Sequence, residues 1–99
     1  MLARPELDET SKILMSAADY IEKHGWWCKG HGASPGIKTC LMTSIWTISY
    51  NDKAREAADR VTHYLGFEKR EEAVKWNDAP ERTKEEVVSA LREAAYFRD

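Results

Sequence analysis

The sequence predicts an all-α fold, a compact single-domain bundle of four to five short helices. Three observations carry that expectation. Apolar residues recur near i, i+3, i+4 and i+7 in three separate segments, the spacing that lines one face of a helix. Capping residues precede these segments, and glycines follow two of them at Gly25 and Gly66. The chain has 99 residues, 42% apolar and 32% charged, which suits one small globular core. Residues 1–9 read as an N-terminal arm and residues 10–99 as the helical domain.

The first helix is expected to begin near Thr10 or Ser11, ahead of a stripe of Leu14, Ala17, Ala18 and Ile21. Lys12, Asp19, Glu22 and Lys23 occupy its opposite face. Gly25 fits the residue after the helix, where a positive φ is needed, and His24 suits the partial negative charge of a helix end. Residues 26–36 hold three glycines and a proline, and so read as a loop. The loop also carries Trp26 and Trp27, and one of these indoles is expected to close the core.

Residues 37–50 are ambiguous by composition. Their many β-branched side chains favour a strand, yet Ile37, Leu41, Ile45 and Ile48 lie near one helical face. Both faces of a strand would be partly apolar, and no convincing partner strand exists. A buried helix is therefore predicted. The next helix opens at Asn51 and Asp52, with Ala54, Ala57, Ala58, Val61 and Leu65 facing inward. Gly66 and Phe67 suit its end, and Glu56 and Arg60 have the spacing of an outer-face pair.

Residues 68–75 are expected to form a short helix that carries Val74 and Trp76 inward. Asn77-Asp78-Ala79-Pro80 then reads as a turn, because Asn and Asp suit turns and a proline disfavours α backbone before it. Thr83-Lys84-Glu85-Glu86 is a capping box, with Val87, Val88, Leu91, Ala94 and Ala95 behind it. The core is predicted to comprise Leu14, Ala17, Ile21, Leu41, Ile45, Val61, Leu65, Trp76, Val88 and Leu91.

The segments Ile13–Trp27 and Cys40-Leu41 are familiar, as is Trp76-Asn77-Asp78-Ala79-Pro80 with Arg82-Thr83 and Glu86-Val87 after it. Across residues 12–95 the chain resembles a small family of uncharacterised actinobacterial and phage proteins, a domain of unknown function numbered 6197. The Trp-Asn-Asp turn before a capped helix is the most specific part. The resemblance implies a compact helical domain and a bacterial or phage cytosol, with no assigned activity.

Charge discounts several functions. Fifteen Lys and Arg against seventeen Asp and Glu give a net charge of −2. No basic cluster marks a nucleic-acid interface, and no polybasic helix marks a membrane surface. Nor does any apolar stretch approach the roughly 20 residues of a spanning helix. The acidic N-terminal residues read as neither a secretory nor a transit signal, so a cytoplasmic location is expected.

Three constellations could carry chemistry. His24, Cys28, His31 and Cys40 offer two imidazoles and two thiols, the ligand types of tetrahedral zinc. They lack the short paired spacing of zinc knuckles. Read structurally, His24 ends a helix, Cys28 and His31 lie in a loop, and Cys40 is a small core group. Cys28 with His31 also has the residue types of a nucleophile and base, although no oxyanion site accompanies them. Trp76-Asn77-Asp78 combines an aromatic anchor with orienting polar groups. Its architectural reading has Trp76 in the core, Asn77 bending the chain and Asp78 paired with Arg82 or favouring the last helix.

These readings favour a non-enzymatic protein-binding module without a cofactor, in the form of a phage-encoded or phage-related accessory factor acting on a host protein. The binding residues expected are Trp26, Trp27, Trp76, Asn77, Asp78 and Arg82, with Lys29 on the rim. The alternative is a zinc-binding domain, or a Cys/His-dependent enzyme, built on His24, Cys28, His31 and Cys40.

Overall fold

The computed structural model describes residues 8–27 and 38–98. Its helices are α1 (Glu9–His24), α2 (Leu41–Ile48), α3 (Asp52–Tyr64), α4 (Arg70–Asn77) and α5 (Lys84–Ala94). Among the described residues the β pairing is a single parallel bridge, Trp26 to Thr39. The all-α expectation holds.

Helix α1 lies at the centre and packs against α2, α3 and α5. Leu14, Ala17, Ala18 and Ile21 are fully buried along it, as its apolar stripe requires. Leu41 and Ile45 from α2, Val61 from α3, and Val87 and Leu91 from α5 are the other large apolar side chains fully buried in the core. Around them lie Ala54, Ala57, Ala58, Ala73, Ala94 and Ala95, all fully buried. A side chain that ends at Cβ lets neighbouring helices approach closely, so a chain this short can still fill its interior.

The start of α1 corrects the expected cap at Thr10 or Ser11. Asp8 is the cap, its carboxylate accepting the Ser11 amide at 2.8 Å. Thr10 and Ser11 are buried and reach across the bundle instead. The Thr10 hydroxyl donates to Glu56 at 2.8 Å, and the Ser11 hydroxyl donates to the Ala95 carbonyl at 2.6 Å. Arg60 leans the same way, donating to Ser11 Oγ at 2.8 Å and pairing with Asp8 at 3.2 Å. Glu56 meets Thr10 and Lys53 directly, and Arg60 acts on its carboxylate only through weaker charge attraction.

Helix α2 is the predicted buried helix, shorter at both ends than the expected 37–50. Cys40 caps it, with the Thr43 amide 3.4 Å from the sulfur. The ambiguous composition resolves as helix because its hydroxyls find carbonyls within the helix. Ser44 donates to the Leu41 carbonyl at 2.7 Å, and Thr47 to that of Thr43 at 2.8 Å. Helix α3 begins as predicted, with Asn51 accepting the Ala54 amide at 3.0 Å. Gly66 has φ +88°, and the Gly66 and Phe67 amides donate to His63 and Thr62 in a Schellman motif.

Helix α4 differs most from expectation. Its eight residues put Ala73 and Asn77, one turn apart, against the bundle. Val74 is rotated off that face and is exposed. Trp76 and Leu65 are only partly buried and pack against the core from outside it. Asn77 is the last helical residue, so the turn begins after it. Lys69 has no acceptor to offer as a cap, and the Glu72 carboxylate instead receives the Lys69 and Glu68 amides at 3.0 and 3.3 Å. Helix α5 begins with the predicted box: Glu86 N–H donates to Thr83 Oγ1 at 3.2 Å, and Thr83 N–H to the Glu86 carboxylate at 3.0 Å.

The Asp8 carboxyl is held well below its ordinary 3.8, chiefly by the Arg60 guanidinium and then by the Ser11 amide. A depressed folded-state pKa stabilises above the unfolded value, and the contribution is lost as pH falls below about 4. The Asp8→Asn variant keeps the cap and loses the charge, so its acid limb should be flatter than that of the wild type. Asp8 is half exposed, which limits the difference to about 1 kcal/mol. Urea denaturation at pH 3 and pH 7 measures it.

Candidate functional site

The Trp-Asn-Asp segment meets the start of α2 and the end of α1 around one buried amide. Gly25 ends α1 with φ +109°, and a Cβ there would stand 3.0 Å from the Lys38 side chain. The chain can then run beside residues 38–40. Thr39 N–H donates to the Gly25 carbonyl at 3.2 Å, and Trp27 N–H to the Thr39 carbonyl at 2.9 Å.

Asn77 closes this arrangement from α4. It is fully buried. Its side-chain oxygen accepts the Trp26 indole N–H at 2.7 Å and the Leu41 amide at 3.1 Å. Its NH₂ group donates to the Trp27 carbonyl at 3.3 Å and to Asp78 Oδ1 at 3.0 Å. An amide side chain has two acceptor positions and two protons, and all four are used. Trp26 packs on the core while its polar edge is satisfied by Asn77, so this is the indole that closes the core.

Trp76 and Arg82 form a second arrangement on another side of α4. The Arg82 guanidinium lies 4.0 Å over the Trp76 ring, and its Nε donates to the Trp76 carbonyl at 2.8 Å. Its Nη1 pairs with Glu86 at 3.0 Å. Adjacent residues on a helix point about 100° apart, which separates Trp76 from Asn77. The structure thus joins Trp26, Trp27, Asn77 and Asp78 in one network and stacks Trp76 with Arg82 in another arrangement. Lys29 lies outside the described residues.

Trp76 lines a groove of about 490 Å³ with Tyr64, Leu65 and residues Glu85, Glu86, Ser89, Ala90 and Glu93 of α5. Glu93 accepts the Tyr64 hydroxyl at 2.9 Å and that of Ser89 at 2.8 Å. Those bonds, Ser89 first, hold the Glu93 carboxyl below its ordinary range, and Glu93 in turn raises the Tyr64 phenol.

Of the zinc-type residues, His24 lies at the end of α1 with its ring 4.4 Å from that of Tyr20, and Cys40 caps α2. Cys28 and His31 lie outside the described residues, as does the nucleophile–base pairing read from them. Among the described residues no group of three or more His, Cys, Asp or Glu is placed to hold a metal ion.

One surface escaped the sequence reading. The Trp46 and Tyr50 rings stack at 6.0 Å with planes 25° apart, and Arg70 lies 5.7 Å over Trp46. With Asn51 and Arg55 they line a hollow of about 280 Å³. Tyr50 is 87% exposed and Ile48 is 38% exposed. The spacing of Trp46 and Tyr50 was visible in the sequence. That α2 ends between them at Ile48, with Ser49 as its cap and Tyr50 left outside the core, was not.

The described residues thus define a small all-α domain, and no helix among them is long and apolar enough to cross a membrane. The chain belongs to DUF6197, a family of unknown function, which it matches over residues 5–97. No curated protein and no solved structure matches it.

Replacing Asn77 tests the network. Asn77→Ala leaves the Trp26 and Leu41 donors without an acceptor and should cost about 2–4 kcal/mol in urea unfolding. Asn77→Asp sets a carboxylate against the Trp27 carbonyl and Asp78, which raises its folded-state pKa. That variant should be less stable than Asn77→Ala at pH 7 and should recover stability as pH falls toward 5. Equal stability of wild type and Asn77→Ala would contradict the assignment.

Proposed function

We propose that this chain is a small, non-enzymatic module that binds another protein through the Trp46–Tyr50 face. The observation that carries the reading is the exposure of Tyr50, stacked on Trp46 with Arg70 over the pair. Trp, Tyr and Arg dominate the energetics of protein interfaces, and here all three meet on one surface. Each has a different reason to be available. Tyr50 stands beyond the last turn of α2, Trp46 is only partly buried, and Arg70 is fixed by Asp59 at 2.8 Å. An anchor already held in place loses little freedom when a partner docks.

The polar edge of Trp26 and the whole amide of Asn77 are engaged within the fold, which directs recognition toward other side chains. Trp76 keeps a place at the surface through its groove. The proposal includes a cytoplasmic setting. The narrower reading, a phage-related accessory factor acting on a host protein, rests on the family resemblance alone.

Immobilised protein exposed to lysate of its own host should retain a specific partner. Tyr50→Ala should weaken that capture about 30-fold or more, the effect of losing an interface anchor. Its urea midpoint should stay near that of the wild type, since an exposed side chain shifts stability by about 0.5 kcal/mol or less. A partner held equally by wild type and Tyr50→Ala would contradict this face, and purification that yields no specific partner would contradict the binding module.

A further inference from the structure

The groove beside Trp76 has a second chemistry. Its floor is apolar, made by Leu65, Trp76 and Ala90, and its α5 wall carries Glu85, Glu86 and Glu93. The three acids are not equivalent. Glu86 is neutralised by Arg82 at 3.0 Å. Among the described residues Glu93 is bound by the neutral hydroxyls of Tyr64 and Ser89, which orient its carboxylate and leave its charge in place. Glu85 has no partner among the described residues. Lys84 and Arg92 face the other side of the Glu85–Glu93 stripe, and Arg92 is taken by Asp19 and Glu22 at 2.9 and 3.2 Å. The groove therefore combines an aromatic floor with two carboxylates that, among the described residues, stand in no ion pair.

Glu85, Ser89 and Glu93 follow each other at i, i+4 and i+8, one face of α5. The two free charges stand about 12 Å apart along the helix axis. A partner helix with an apolar stripe flanked by cations two turns apart would meet both features at once. An acidic or neutral apolar segment would meet the floor and leave the charges opposed or unused.

We propose that this groove docks a cationic amphipathic helix of a partner protein, with an apolar side chain over Trp76 and Lys or Arg against Glu85 and Glu93. The face differs from the one that carries the proposed function, so either assignment can fail without the other. The Trp76–Arg82 stack holds the indole in place as the floor, and the hydroxyls of Tyr64 and Ser89 hold Glu93 on the rim.

The test uses the full chain and two synthetic 15-residue helical peptides of identical apolar stripe, one flanked by Lys and one by Glu. By fluorescence anisotropy at low salt the Lys peptide should bind at least 10-fold tighter than the Glu peptide. Raising the salt to 0.5 M should weaken it further, as screening requires. Glu85→Lys breaks no hydrogen bond or ion pair among the described residues; it loses the helix-dipole interaction of a first-turn acid, a small effect at an exposed position, and keeps the fold. It should weaken the Lys peptide about 5-fold or more, and Glu85→Lys with Glu93→Lys should reverse the preference between the peptides. Glu71→Lys, at the same first-turn position of α4, makes the same change in net charge and should leave the binding of both peptides unchanged. The Trp76 indole NMR signal should shift on binding while that of Trp46 stays put. Equal binding of the two peptides, indifference to Glu85→Lys, or a shift at Trp46 in place of Trp76 would each overturn the proposal.

Discussion

A single buried amide takes two donors and gives two protons at the place where three parts of the chain meet. The Asn77 oxygen holds the Trp26 indole and the Leu41 amide, and its nitrogen holds the Trp27 carbonyl and Asp78. Each neighbour would be costly to leave without a partner in a dry interior. Asn77 therefore sets where α4 ends, where α2 begins and where the chain leaving α1 crosses. Leucine would fill the same space and satisfy none of these groups. Aspartate would supply the acceptors and lose both donors.

The other end of α1 has a comparable clamp of different chemistry. Asp8 caps the helix, Ser11 reaches the carbonyl just beyond α5, and Arg60 from α3 holds both. Between the clamps the bundle relies on apolar contact, with alanines at the crossings and Leu14, Ile21, Ile45 and Leu91 as the large side chains. The division follows from size. A domain of about 100 residues has a modest core, and polar contacts of fixed geometry then decide which arrangement of the helices is unique.

Much of the fold was legible because its signals are local. The stripe of α1, the Asn51 cap, the end of α3 at Gly66 and Phe67 and the Thr83–Glu86 box depend on residues a few positions apart, and each formed as read. The errors arose where distant residues decide. Thr10 and Ser11 looked like caps until Glu56 and the Ala95 carbonyl came within reach. Val74 and Trp76 looked like core residues until Ala73 and Asn77 took the inward face of α4. Asn77 read as a turn former because no sequence pattern announces that four groups, most of them 36 to 51 positions away, converge on one amide. The candidate recognition faces were hidden for a similar reason. Trp46, Tyr50 and Arg70 become one surface only when α2 and α4 pack together.

The two surfaces proposed for recognition differ in character. One is an exposed aromatic pair with an arginine over it, and the other an aromatic-floored groove with an acidic wall. Neither uses Asn77, which frees the amide for its architectural work and ties the positions of both faces to it through α4. Native-state hydrogen exchange at the Trp26 indole N–H and the Leu41 amide reads that role most directly. If the amide holds the fold, both protons should exchange as slowly as the core amides of Leu14 and Leu91, through global unfolding. Exchange of the Trp26 indole and Leu41 protons at the rate of an exposed loop, with the core still protected, would contradict the account.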